Sequence, residues 1–144
     1  MSGERGSIEV DEFLPHAPAK VWRALTEPDL LARWLMPNDF QAVVGHRFTF
    51  AAKPIPAIGF DGEIACRVLD VQELRLLRIS WRGGGLDTTV TWRLVPEGRG
   101  TRLFVEHAGF DPDDPVNAYA FRGMGSGWRT GIFRALRDIL TDLR

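Results

Sequence analysis

The sequence predicts an α+β fold in which a bent antiparallel sheet of about six strands wraps around one long C-terminal helix, with two short helices after the first strand. Three observations predict it. On a helical wheel turning about 100° per residue, Trp128, Ile132, Ala135, Leu136, Ile139 and Leu143 fall within one arc, while Thr130, Arg134, Arg137 and Thr141 lie opposite. Three consecutive stretches instead alternate with the period of a strand: Leu77, Ile79 and Trp81, then Val90, Trp92 and Leu94, then Leu103, Val105 and His107 share one apolar face. The links between them, at Gly83-Gly84-Gly85 and Glu97-Gly98-Arg99-Gly100, are too short for anything but antiparallel hairpins.

Taken in order, Ile8 to Leu14 reads as the first strand, behind an N-terminal segment 1–7 expected to be disordered. Pro18 can occupy the first position of a helix, and Val21, Trp22 and Leu25 recur at helical spacing after it. Thr26-Glu27-Pro28-Asp29 has the form of a second helix start with Thr26 as N-cap, followed by Leu30, Leu31 and Trp34. Pro37 and Asn38 end that helix. From Arg47 the period changes, so a second strand should bury Phe48 and Phe50, and the segment from Lys53 to Gly59, with two prolines, is a loop. Strands follow near 62–71, 75–81, 88–95 and 101–108. A short helix opening at Asp114-Pro115 should run toward the terminal helix through Gly123, Gly125 and Gly127. No repeat or internal boundary divides the chain, so residues 1–144 form one domain.

The composition narrows the partners. Hydrophobic residues at 44% and charged residues at 26% are ordinary for a globular domain with a real core, and five Trp with nine Phe make that core aromatic. A net charge of −1 without any basic run gives no reason to bind nucleic acid or an anionic membrane. No apolar stretch approaches the ~18 residues of a membrane span, and the N-terminus does not have the form of a signal peptide, so a cytoplasmic location is expected. Cys66 is the single cysteine and reads as a core residue. The preference for Arg over Lys suggests a GC-rich bacterial genome.

Three local motifs then meet a known family. Pro18-Ala19-Lys20-Val21-Trp22-Arg23-Ala24-Leu25-Thr26-Glu27-Pro28, Leu31-Ala32-Arg33-Trp34, and Gly127-Trp128 opening the last helix resemble the START-like superfamily, also called SRPBCC or Bet v-like. Within it they are most similar to the branch of the activator of heat shock protein 90 ATPase homologue. The resemblance covers roughly residues 8 to 143. It implies a helix-grip fold with an apolar cavity between sheet and terminal helix, and no universal catalytic residue set. The START-like region begins near residue 8, so the extra N-terminal domain of the eukaryotic co-chaperone is not expected here.

The residues expected to face such a cavity are Phe48, Phe50, Trp81, Trp92, Val105, His107, Trp128, Arg129 and Ile132, around a small, mainly apolar or aromatic ligand. His107 could instead be a rim histidine bonded to backbone, or the acid or base of a cavity enzyme of cyclase or hydrolase type with Asp61 or Glu63 as partner. Arg129 could snorkel to water or bind a ligand carboxylate. A co-chaperone or other protein-interaction domain is the third reading. No metal site is expected, because His16, His46 and His107 are widely separated with one Cys. Ser80 and Ser126 lack the Gly-x-Ser-x-Gly setting, Gly123 to Gly127 lacks the phosphate-loop ending, and no cofactor is expected. Phe133 and Leu140 widen the apolar arc beyond one sheet's needs, and should pack on the first two helices or on a second subunit in a homodimer.

Overall fold

A computed structural model describes residues 6–143. Strand β1 (Gly6–Leu14) leads into helices α1 (Pro18–Thr26) and α2 (Pro28–Trp34), and strand β2 (Arg47–Ala51) follows. After a short 3₁₀ turn at Pro56–Ile58 come β3 (Glu63–Gln72), β4 (Leu76–Gly83), β5 (Leu86–Glu97) and β6 (Gly100–Phe110). The first strand thus begins at Gly6, earlier than expected, with Ser7 opposite Ala108; the rest of the segment expected to be disordered lies outside the described residues.

The sheet has six antiparallel strands in the order β1-β6-β5-β4-β3-β2. Strands β1 and β2 are neighbours along the chain yet occupy opposite edges, so α1 and α2 must carry the backbone across the sheet. The β4–β5 hairpin closes on Gly84 and Gly85, whose φ values of 58° and 86° are those of the primed turns that match strand twist, and side chains rarely adopt them. The predicted dry face is buried throughout, from Leu77 on β4 to His107 on β6. On the other face Phe104 is half-buried beneath the guanidinium of Arg93, 5.3 Å from its ring centre.

The two short helices cover one end of this face. Val21, Trp22, Ala24 and Leu25 of α1 are buried, and Trp34 Nε1 donates to the Ala24 carbonyl at 2.8 Å, which ties α2 to α1. The start of α2 differs from the sequence reading. Thr26 closes α1, its hydroxyl donating to the Trp22 carbonyl, and Glu27 occupies the N-cap of α2 without a side-chain cap bond. Pro28 needs no donor at the first helical position, so the second helix starts there without Thr26.

The C-terminal helix is longer than the last twenty residues. It comprises α3 (Pro115–Gly127), one π turn (Trp128–Ile132) and α4 (Phe133–Asp142), with helical dihedrals through both joints. Asp114 caps its start by accepting from Val116 N, and Asn117 anchors that end to the β4–β5 turn by donating to the Gly85 carbonyl. The π turn corrects the helical wheel. One extra residue in a turn shifts the phase of the positions after it, so α4 buries Phe133 and Leu140 along with the expected Leu136 and Ile139, while Ala135 and Leu143 are only half-buried. Phe133 and Leu140 are thereby consumed inside the protomer, where α4 packs on α1 and α2.

Arg137 points from the exposed side of α4 to Glu12 of β1. Both ends of the pair are in contact with water, so Arg137→Ala should cost no more than about 1 kcal/mol in a denaturant melt. A loss several times larger would mean that the pair clamps the helix to the sheet.

Candidate functional site

Between the sheet and the first half of the long helix lies a cavity of about 620 Å³. Its floor is Ile64, Trp81 and Leu86, its end wall is Leu35 and Met36 beyond α2, and its near side is the loop carrying Lys53, Ile55 and Phe60. The helix supplies the roof with Val116, Tyr119, Ala120, Gly123, Met124, Trp128 and Ile132. Volume and lining are those of a small-molecule site: large enough for a drug-sized ligand, and walled mainly by aliphatic and aromatic groups.

The floor belongs to an aromatic row. Phe40 meets Phe48 with ring centres 5.1 Å apart, Phe48 meets Phe50 at 5.3 Å, and Phe50 meets Trp81 at 5.4 Å. The row continues from Trp81 to His107 at 5.3 Å, then to Phe110 at 4.7 Å and Phe121 at 5.3 Å. Edge-on and tilted packing of this kind is favourable beyond the area it buries, and it makes the floor stiff.

The nine residues expected at the site are distributed unevenly. Trp81, Trp128 and Ile132 line the cavity. Phe48, Phe50, Trp92, Val105 and His107 are buried in the packed interior beneath or beside it and do not contribute to its walls. Trp92 sits edge-on to Trp128 with centres 6.0 Å apart, and its indole N–H is buried without a partner among the described residues. Arg129 is exposed and does not line the cavity; its guanidinium lies beside Gly125 on the side of the helix that faces Ile8 of β1. Sequence reasoning missed the contributions of the segment after α2, the 52–60 loop and α3. Hydrophobic period locates the buried face of an element and carries no information on which distant loop closes over it.

His107 is fully buried and its hydrogen bonds fix its tautomer. Trp128 Nε1 donates to Nδ1 at 3.2 Å, so Nε2 carries the proton and donates to Thr88 Oγ1 at 2.8 Å. Thr88 in turn donates to the Trp81 carbonyl at 2.9 Å. Burial pushes the imidazole down to about 3, because the charged form would have to leave water. Asp61 and Glu63, the carboxylates expected beside it, are exposed, and Asp61 accepts from the backbone N–H of Glu63. His107 therefore joins β5, β6 and the helix through a saturated chain, with no lone pair left to take a proton from a substrate. Cys66 is likewise inert at ordinary pH, its thiol pushed up to about 12 by burial.

Gly123 is where the cavity can be closed deliberately. A Cβ there would meet nothing within 4 Å, and the backbone is ordinary helix. Gly123→Leu should hold or raise thermal stability, since leaving glycine in a helix gains roughly 0.5–1 kcal/mol, while its side chain enters the opening. A drop in melting temperature of several degrees would show that the position is tighter than its surroundings indicate.

Among the described residues no three His, Cys, Asp or Glu side chains converge as a metal site, and no helix is long and apolar enough to cross a membrane. Comparison with known proteins agrees with the architecture. The sequence profile of the family described as Activator of Hsp90 ATPase homolog 1-like protein matches residues 15–141. Protein MLL2253 from Mesorhizobium loti is 34% identical, with a TM-score of 0.84 over 96% of this chain and 99% of that one. Protein BH1534 from Bacillus halodurans is 28% identical, with a TM-score of 0.78 over 95% of this chain and 99% of that one. CalU16 from Micromonospora echinospora is 27% identical, with a TM-score of 0.77 over 96% of this chain and 78% of that one. No curated protein matches the chain. A profile spanning nearly every element and relatives superimposable along their length place the chain in the family of Activator of Hsp90 ATPase homolog 1-like proteins, a branch of the START-like superfamily.

Proposed function

We propose that this domain binds a small, mainly apolar or aromatic molecule in the cavity between the sheet and the long helix. The observation that carries the reading is the cavity itself: about 620 Å³ left open by a core that is otherwise closely packed, with Trp81 below and Trp128 above. Apolar walls around a space of this size gain dispersion contacts when an apolar molecule fills it. A hydrolase or cyclase reading through His107 has less support, since both ring nitrogens are engaged. The protein-interaction reading would rest on exposed Phe13 and Val95, which flank Arg102 across β1, β6 and β5, and on Val43 and Val44 in the loop before β2.

Titration with flat aromatic compounds and fatty acids should shift tryptophan emission saturably, because two of the five tryptophans line the cavity. Gly123→Leu should weaken that response by roughly tenfold or more, the loss expected when a ligand's apolar contacts are displaced by a side chain. If no compound binds, or if Gly123→Leu binds as the parent does, the cavity is not the site.

A further inference from the structure

The charges around the opening select the ligand further. Among the described residues only two ionised side chains line the cavity, Lys53 on the loop before the 3₁₀ turn and Arg122 on α3, and both are cations. Neither makes a salt bridge or a side-chain hydrogen bond among the described residues, so both charges are uncompensated at the opening. No Asp or Glu among the described residues lines the cavity, although the chain as a whole carries a net charge of −1. Both cations are exposed, so they stand at the opening, while the depth of the cavity is apolar. Tyr119, also on the lining and 57% exposed, adds a hydroxyl donor on the turn of α3 before Arg122.

From this arrangement we infer that the ligand is an amphipathic carboxylate: an apolar body held between Trp81 and Trp128, with its anionic end held at the mouth by Lys53 and Arg122. The inference rests on the binding reading above and adds polarity and direction to it. Apolar walls accept the body of an alcohol, an amine or an acid alike. Two uncompensated cations favour the acid, since the carboxylate accepts charge-assisted hydrogen bonds from the ammonium and the guanidinium. The same cations repel an ammonium head, so discrimination arises from repulsion as well as attraction.

The test uses head groups matched on one body: decanoate, decanol and decylammonium, with naphthaleneacetate and naphthaleneethanol as an aromatic pair, each titrated calorimetrically below its aggregation limit. Decanoate should bind about tenfold more tightly than decanol, the low end for charge-assisted hydrogen bonds at a partly wet site, and decylammonium should bind weakest. In the double variant Lys53→Gln, Arg122→Gln the decanoate affinity should fall to that of decanol, with decanol unchanged. Arg99→Gln, an exposed charge in the β5–β6 turn, should alter neither. Equal affinity for decanoate and decanol in the parent would overturn the inference and leave apolar binding intact. Failure of every alkyl and aromatic probe would remove both together. Retention of the acid preference in the double variant would also overturn it, by placing the anion's contacts elsewhere.

Discussion

A chain ending at Gly127 should lose cooperative unfolding altogether. The missing residues carry five of the core's side chains, Trp128, Phe133, Leu136, Ile139 and Leu140, each 6% exposed or less. Burial of each stabilises the fold by on the order of 1.5–3 kcal/mol, and together they rival the about 5–15 kcal/mol that holds a typical domain together. Two further losses act in the same direction. Without α4 the buried faces of α1 and α2 meet water, and without Trp128 the Nδ1 of His107 is left inside the core with no donor. A calorimetric melt of the shortened chain should show no heat-absorption peak. Retention of a sharp transition would mean that the sheet and the two short helices form a self-sufficient core, with the long helix docked on it as an accessory.

The sheet and the helix were legible in the sequence to different degrees, for a physical reason. Side chains on a strand alternate with period two, and an error of one residue would reverse the face, so Leu77, Ile79, Trp81, Val90, Trp92, Leu94, Leu103, Val105 and His107 could be assigned individually, and all are buried. A helical wheel accumulates phase. It placed Trp128, Leu136 and Ile139 on the buried face and Thr130, Arg134, Arg137 and Thr141 on the exposed one, but ranked Ala135 and Leu143 above Phe133 and Leu140, because the π turn inserts a residue that leaves no apolar or polar mark in the pattern; only Gly131, poor in helix propensity, hints at irregularity there. The aromatic floor could be anticipated from the alternation of Phe48 and Phe50 with Trp81. The cavity's roof and mouth could not. Lys53 with Phe60, and Tyr119 with Arg122, lie on two segments far apart in sequence and without strong period, so their meeting depends on how the whole chain closes. Arg129 and Arg122 show the consequence: a wheel centred on the terminal residues favoured the former, while the added length of α3 brings the latter to the opening.

The same buried histidine that offers no base for catalysis should make the fold sensitive to acid. In the unfolded chain an imidazole takes up a proton near pH 6.5, whereas in the folded protein His107 resists protonation until about 3, because desolvation disfavours the cation. Below pH 6.5 the unfolded state therefore binds the proton that the folded state refuses, and stability present at neutral pH is lost as pH falls toward the folded value. Between pH 7 and pH 4.5 the loss from this one group amounts to about 2–3 kcal/mol, a large fraction of an ordinary domain's stability. His16, whose value is lowered by burial and by Lys20, acts in the same direction and is common to parent and variant. His107→Leu should be less stable at pH 7, by roughly 1–3 kcal/mol, since it orphans the Trp128 N–H, yet its stability should fall much less on acidification. Urea melts at half-unit intervals of pH would display the difference as two curves converging toward pH 4.5. Parallel curves would show that His107 takes up its proton in the folded state after all, which would require the chain from Trp128 through Thr88 to the Trp81 carbonyl to open without unfolding, and would restore the imidazole as a group able to exchange protons with the cavity beside it.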